Sequence, residues 1–348
     1  MQWHQETLVI QTNKITKDSF ALNLRNSLDE LEKLVEENVL FGISLQSIGV
    51  SCELHHSMDN GDDVTPGYGP FSSGTTTALD NPDSDKFFRV MMKIADRSPC
   101  RRVGGSLEWD REKSLRWETE IHQSLQLAFV QTHATCGLTG RGAEAALYNW
   151  TNEAFGSRHH LRIHKGTCAL DGNYHKGTFT TGLYKNILRV LPYRVAQILF
   201  ILLRVIRPIQ LMSLMKFIIP AGKTNIEAAT KLYATRIFVS WNKPWPAIYL
   251  SHILMAWFHK HHGFKIGLRM YHHFATALQR RYIKYRTHDN PEDIQELADT
   301  QAGRQQKTGD LYYAVEKGKS SSESHVCGFE LMSAYWHEMI RYETYPPK

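Results

Sequence analysis

The chain has 348 residues, of which 42% are hydrophobic and 22% are charged, a composition typical of a folded protein long enough for two domains. The formal net charge of +6 is compatible with an anionic partner, but many basic enzymes show the same value. Five widely spaced cysteines without a CxxC pair argue against a disulfide scaffold and favour a reducing compartment. The first residues lack a basic stretch followed by an apolar run, so no secretory signal is expected.

The N-terminal third shows helical patterning with one polar insertion. Leucines spaced by three and four residues predict a helix over residues 19–40, capped by Asp18 or Ser19. Residues 55–85 are rich in Gly, Ser, Thr, Pro and Asp, which predicts a flexible loop or linker. This part therefore divides into a helical N-terminal segment, a linker and a second helical segment, at residues 1–54, 55–85 and 86–136, with further helices predicted over residues 85–96 and 109–135.

Residues 137–348 have a mixed pattern. Short extended runs between residues 159 and 180 are broken by Lys-Gly and Asp-Gly pairs, which predict a small β-meander. A short strand is predicted over residues 236–240. Helices are predicted from Gly142 and over residues 192–205, 208–217, 247–261, 267–285, 292–301 and 324–341. The predicted fold class is mainly α with a small β-meander, that is, α+β.

Three function classes find no support in the pattern. The apolar stretch 187–220 has a longest uncharged run of residues 195–203, too short to span a bilayer, so core helices and no membrane partner are expected. Gly222-Lys223-Thr224 imitates a phosphate-binding loop, but Phe217 stands where the first glycine is needed. We therefore expect no nucleotide cofactor and no ATPase or helicase motor. The 18 histidines form no HExxH motif and have no cysteine pair at ligand spacing, so no metal or other cofactor is expected.

An ordered set of basic residues and a tyrosine indicates chemistry on a phosphodiester. Guanidinium groups bind non-bridging oxygens, a lysine protonates the leaving hydroxyl, and a phenol attacks phosphorus. Taken singly, such residues are usually structural: an arginine before a helix makes a salt bridge, and a tyrosine lies in the core. The candidate catalytic residues, in chain order, are Arg141, Lys176, His272, His273, Arg304 and Tyr313.

A basic stretch accompanies this set. Residues 260–288 contain seven Lys or Arg and no acidic residue, interleaved with aromatic residues such as Tyr271, Phe274, Tyr282 and Tyr285, a pattern that can follow a phosphate backbone. The alternative is an ordinary solvated helix face. The candidate DNA-binding residues are Arg269, Arg280, Arg281, Lys284 and Arg286.

Three segments resemble the boxes of tyrosine recombinases. TGRGAEAALYNW is similar to the box in which an arginine follows a Thr-Gly turn and precedes a glutamate by three residues. RMYHHFATAL resembles the second box, His-x-x-Arg-His, and QAGRQQKTGDLYYAV resembles the last, a Gly-His pair about nine residues before the nucleophilic tyrosine. Longer phrases, such as RIFVSWNKPWPAIYLSHIL, resemble the region that precedes the motor in fungal telomere-linked RecQ-type DNA helicases. This similarity runs, with gaps, over residues 40–340.

The resemblance implies a helical core-binding-like segment at residues 86–136 and a tyrosine-recombinase-like domain at residues 137–348. It places Arg141 as the first arginine, Lys176 as the hairpin lysine and Tyr313 as the nucleophile, with Tyr312 as a competing choice. The chain departs from the pattern at three positions. Arg269 replaces the first histidine of the second box. His272 replaces the second arginine, and Arg304 replaces the last histidine. A histidine cannot bind phosphate in two-pronged fashion, and loss of one preorganised donor costs about two to four kcal/mol in the transition state.

The resemblance therefore implies a DNA-binding protein with a degenerate tyrosine-recombinase fold that lacks the helicase motor. Its implied partner is double-stranded DNA, with self-association on that DNA, and its implied location is the nucleus. A second hypothesis is an active DNA strand-transferase that works through a 3′-phosphotyrosine at Tyr313. A third is a non-functional protein or helicase fragment, and a fourth is a basic helical scaffold that binds proteins.

Overall fold

The structure is a computed structural model that describes residues 1–54, 59–72, 81–94, 96–154, 158–164, 166–172, 187–283 and 323–345. Helix accounts for 55% and strand for 14% of the structure, and the strands form several small sheets, so the α+β prediction is confirmed as a class. The helices are α1 Lys17–Leu34, α2 Pro82–Met91, α3 Arg111–Thr135, α4 Gly142–Ala145, α5 Tyr193–Phe200, α6 Arg207–Phe217, α7 Lys223–Thr235, α8 Ala247–His262, α9 Leu268–Tyr282 and α10 Glu323–Ile340. The strands are β1 Gln2–His4, β2 Thr7–Ile10, β3 Asn13–Thr16, β4 Cys100–Val103, β5 Ser106–Trp109, β6 Leu161–His164, β7 Thr167–Gly172, β8 Ile187–Val190, β9 Val239–Ser240 and β10 Lys243–Pro244.

Helix α1 forms where the leucine spacing predicts it, but its cap differs from the prediction. The Thr16 hydroxyl accepts the backbone N–H of Ser19 at 3.1 Å, so Thr16, and not Asp18 or Ser19, caps the helix. The buried face of α1 packs against α3. There the Gln131 amide donates to the Leu24 carbonyl at 2.9 Å and to the Ser27 hydroxyl at 2.6 Å. This polar contact between two apolar faces fixes how the helices are rotated against each other.

Two small sheets in the N-terminal third were missed by the helical prediction. Strands β1, β2 and β3 form an antiparallel meander, and β4 pairs with β5 across a Gly104-Gly105 turn. Both glycines have positive φ, which side chains with a Cβ rarely adopt. Strands of three or four residues contain too few residues for alternation to be recognised against a helical background.

The second meander precedes the apolar helices. Strands β6, β7 and β8 form an antiparallel sheet in that order. Two of its strands lie where the turn signals predict them. The third, β8, belongs to the apolar stretch that was predicted as core helices. Ser333 of α10 covers the sheet, since its hydroxyl accepts the Val190 N–H at 3.1 Å.

Helices α5 and α6 are continuous through a π-helical segment, Ile201–Ile206. The combined helix Tyr193–Phe217 is long and apolar enough to cross a membrane by length and composition, and 67% of its apolar window is buried inside the fold. The side chain of Asn81, which caps α2, donates to the Arg204 carbonyl at 2.9 Å, within the π-helical segment. The π-helical geometry changes the hydrogen-bond pattern of the backbone, and Asn81 supplies a donor for a carbonyl in this segment, as buried polar groups require. Helix α7 was not predicted.

Residues 59–72 belong to the stretch whose composition predicts flexibility, yet they carry buried anchors. The Asp59 carboxylate is 3% exposed, contacts the His159 ring at 3.1 Å and accepts the Ile163 N–H at 3.2 Å. Phe71 is fully buried, and a Cβ at Gly69 would overlap the Trp150 carbonyl. One cluster of buried apolar residues extends from β2 to α10 and includes members of both the N-terminal helices and the C-terminal half.

Candidate functional site

Arg141 occupies an exposed turn at the start of α4. Its backbone N–H donates to the Glu144 carboxylate at 3.3 Å, which completes the first turn of this short helix. The next residue, Gly142, packs directly against α9, since a Cβ there would lie 2.8 Å from Cδ1 of Leu268. A larger residue would push the turn away from α9. The turn that carries Arg141 therefore lies beside the first turn of α9.

A buried ion pair holds this turn to the β6–β8 sheet. Glu144 and Arg189 have side chains 3% and 1% exposed, and their charged groups lie 2.6 Å apart. Arg189 also donates its Nε–H to the Leu138 carbonyl at 2.8 Å. Burial alone lowers the pKa of Arg189, but the Glu144 carboxylate, together with smaller contributions from two neighbouring side chains, more than offsets burial and raises that pKa. A Cβ at Gly172 would overlap the carboxylate, which explains glycine at the end of β7.

His272 of α9 reaches the same turn from the other side. Its Nδ1 lies 3.3 Å from the Thr139 carbonyl oxygen, two residues before Arg141, and its side chain is half-buried. Because a carbonyl only accepts, the ring must donate its Nδ1–H in this contact. In the neutral ring the other nitrogen is then an acceptor, and only the protonated ring can donate to a phosphate.

Two buried side chains behind this contact, His133 and Tyr271, are uncharged. Burial, with contributions from Arg189 and His272, lowers the pKa of His133 to about 3, so this side chain is neutral at physiological pH. Its ring stacks on Phe129 with centroids 5.4 Å apart. Tyr271 is fully buried and donates its hydroxyl to the Ala134 carbonyl at 3.1 Å. The exposed positive charge of the site is therefore carried by Arg141 and α9, whereas buried Arg189 is paired with Glu144.

Three basic residues form what we term the α9 stripe: Arg269, His273 and Arg280. Each is exposed, and their spacing of four and seven residues places them within an arc of about 40° on the helix. Arg281, also predicted to bind DNA, is held elsewhere. It donates to the Gln5 carbonyl at 2.7 Å, and its guanidinium lies 4.9 Å from the centre of the Trp3 ring.

Positive charge is concentrated in this part of the chain. Between Glu227 and Asp289 the sequence contains no acidic residue and ten Lys or Arg. Since the whole chain carries +6, the rest of it is net negative. The segment includes α8 and α9, so both helices next to the Arg141 turn lie in a region that attracts anions.

The structure brings together some of the predicted site residues and leaves others undescribed. His272 contacts the turn that carries Arg141 through the Thr139 carbonyl, and His273 lies on the exposed side of α9. Sequence reasoning did not assign Arg189 a role, although a charged residue inside a short apolar strand is a signal for a buried pair. The other predicted residues lie outside the described part of the chain: Lys176, Lys284, Arg286, Arg304, Tyr312 and Tyr313.

Within the described ranges, no group of three or more His, Cys, Asp or Glu side chains is arranged to hold a metal ion. No protein-family model, no curated protein and no solved structure matches this chain. A functional assignment therefore depends on the geometry of the site and on the local motifs.

Proposed function

We propose that this chain is a double-stranded-DNA-binding protein with a tyrosine-recombinase-like domain whose strand-transfer site is degenerate. The observation that carries the proposal is the contact between His272 and the Thr139–Arg141 turn. Residues more than 130 positions apart, which resemble the first and second boxes of the recombinases, meet at one surface. If the two box-like segments had unrelated structural roles, there would be no reason to expect a contact between them.

The order of elements after the turn supports the same proposal. Helix α4 is followed by the antiparallel β6–β8 sheet, and Lys176 belongs by sequence to the connection between β7 and β8. A lysine in such a connection corresponds to the hairpin lysine of the resemblance. The α9 stripe and the acid-free segment around it then provide the charge with which a duplex would be bound.

The contact of His272 favours binding over catalysis. An arginine at this position would offer two parallel N–H groups to one phosphate, whereas the imidazole directs its Nδ1–H at a backbone carbonyl. Transition-state charge would therefore lack one preorganised donor. By the same resemblance we propose that the protein is related to telomere-linked RecQ-type helicases, acts in the nucleus and self-associates on DNA.

Binding of duplex DNA at a series of salt concentrations tests the proposal. We expect the logarithm of the association constant to fall linearly with the logarithm of salt concentration, by about 0.9 per phosphate neutralised. Fluorescence anisotropy with a labelled duplex measures this slope. Absent or salt-independent binding would contradict DNA binding. A covalent adduct on a nicked suicide duplex, lost in Tyr313→Phe, would contradict the degenerate site while leaving the DNA interface intact.

The His272→Arg variant is expected to bind duplex DNA at least tenfold more tightly than the wild type at the same salt concentration. The guanidinium restores a two-pronged phosphate donor beside Arg141, and a hydrogen bond to a charged group contributes about 1.5–3 kcal/mol. His252→Arg is the matched control, because His252 is exposed on the neighbouring helix α8. An equal gain in both variants would mean that added charge alone, and not the position of residue 272, explains the effect.

A further inference from the structure

A concave site with no part in the DNA interface lies between the end of α1 and helix α5. The cavity has a volume of about 510 Å³, within the range of about 300–1,000 Å³ typical of ligand pockets. Its floor is aliphatic and includes Val35, Leu40, Ile198 and Ile201. Polar side chains complete the lining, and two of them, Glu36 and Glu37, are exposed at its edge. An apolar floor with a polar edge is the usual form of a binding groove for an amphipathic partner.

Backbone irregularities converge on this cavity from both sides. Helix α1 ends in a π-helical segment, Val35–Val39, in which the Leu40 N–H donates to the Val35 carbonyl five residues back, at 2.8 Å. The π-helical segment Ile201–Ile206 begins on the opposite wall. Such segments are rare and occur frequently at functional sites, because the extra residue opens the helix surface. Phe41 follows with φ of 56°, a left-handed conformation that is unfavourable for an aromatic residue.

The edge of the cavity is negatively charged. Glu36 and Glu37 are exposed, and no ion-pair partner for their carboxylates occurs among the residues that the structure describes. Arg97 contacts the backbone carbonyls of Glu37 and Phe41 and makes no ion pair with the Glu37 carboxylate among the described residues. The single cation in the lining, Arg194, is paired with Glu32 and Asp29. The cavity therefore presents uncompensated negative charge beside an aliphatic floor.

We infer that this cavity is a docking site for a basic amphipathic helix of a partner protein. Aliphatic side chains of the partner would fill the floor, and its Lys or Arg residues would pair with Glu36 and Glu37. Helices bind in grooves through anchors spaced by three, four and seven residues, and complementary charge selects the partner. DNA is excluded as the occupant because its phosphates carry the same sign as the edge. The inference does not depend on the proposed DNA binding.

A labelled synthetic peptide tests the inference on the full chain. Its leucines follow the helical spacing and all other positions are lysine. One control peptide has the same composition with the stripe broken, and a second has glutamate in place of lysine. We expect saturable binding of the first peptide, about tenfold weaker binding by Glu36→Lys/Glu37→Lys, and unchanged binding by Glu108→Lys/Glu227→Lys, which reverses two exposed carboxylates outside the cavity.

Hydrogen exchange then locates the peptide. Bound peptide should slow amide exchange in residues 35–45 and 198–206 of the wild type. The inference is overturned if the peptide does not bind, or if the broken-stripe or acidic peptide binds equally well. It is also overturned if the two double variants lose equal affinity, or if protection falls on other segments. Circular dichroism of each variant shows whether the fold is retained before affinities are compared.

Discussion

Replacement of Arg189 by methionine is expected to lower the free energy of unfolding by about 3–5 kcal/mol. The substitution keeps much of the side-chain volume but leaves the Glu144 carboxylate 3% exposed and without its 2.6 Å partner. Removal of one member of a buried pair costs this much because the remaining charge stays desolvated. The Leu138 carbonyl also loses its donor. Urea denaturation followed by circular dichroism measures the change.

Arg89→Met is the matched control for this variant. Arg89 makes an ion pair with Asp85 on α2, but its side chain is 71% exposed, so we expect a loss below about 1 kcal/mol. The double variant Glu144→Gln/Arg189→Met should lose less than the two single variants together, because neither buried charge remains unpaired. Similar losses for Arg189→Met and Arg89→Met would show that the ion pair does not hold the Arg141 turn to the sheet.

Simultaneous replacement of Arg269 and Arg280 by alanine is expected to weaken duplex binding about a hundredfold. Two phosphate contacts of about 1.5 kcal/mol each account for this loss. The slope of log affinity against log salt should fall by about two, because each phosphate contact contributes about 0.9. Both residues are exposed on one face of α9, so the fold itself should change little. Anisotropy titrations at several salt concentrations give both quantities.

The adjacent Arg281 supplies the control for that experiment. Its guanidinium is held by the Gln5 carbonyl, by Glu6 at 3.6 Å and by the Trp3 ring. Arg281→Ala removes the same formal charge but should leave the salt slope unchanged and lower stability instead. If Arg281→Ala reduces the slope as much as the stripe variant, the charge of the region matters and the α9 stripe does not. An unchanged slope in the stripe variant would contradict the proposed interface.

Long helices were predictable from the sequence because their apolar spacing repeats over several turns. Helix α1 and helix α3 appear close to their predicted positions. Strand β8 was not predictable, since three apolar residues and Arg189 within a longer apolar stretch carry no periodicity that separates strand from helix. Helix α7 was missed for a related reason: its N-terminal boundary, Gly222, lies inside a segment that imitates a phosphate-binding loop and has no side-chain cap to mark a helix start.

The candidate site was predictable in outline only. The motif order predicts that the Arg141 turn and α9 both carry candidate site residues, and the structure joins these two elements through Thr139 and His272. The pairing of Glu144 with Arg189 could not be deduced, because it depends on a strand register that brings Gly172 and β8 beside the turn. The contacts of Arg281 could not be predicted either. They are made with the N-terminal meander, and no sequence signal shows that this meander packs against α9.

The meander β1–β3 has a consequence for how the chain folds. It contacts the C-terminal end of α9 through residues that are 276 positions apart in sequence, such as Gln5 with Arg281 and Glu6 with Tyr282. Pairings of such long range form slowly, because the entropy of closing the loop must be lost before the contact stabilises anything. During synthesis the first strands must wait for most of the chain before their partner emerges. The basic helix α9 is therefore fixed at its C-terminal end late in folding, by strands that were synthesised long before it.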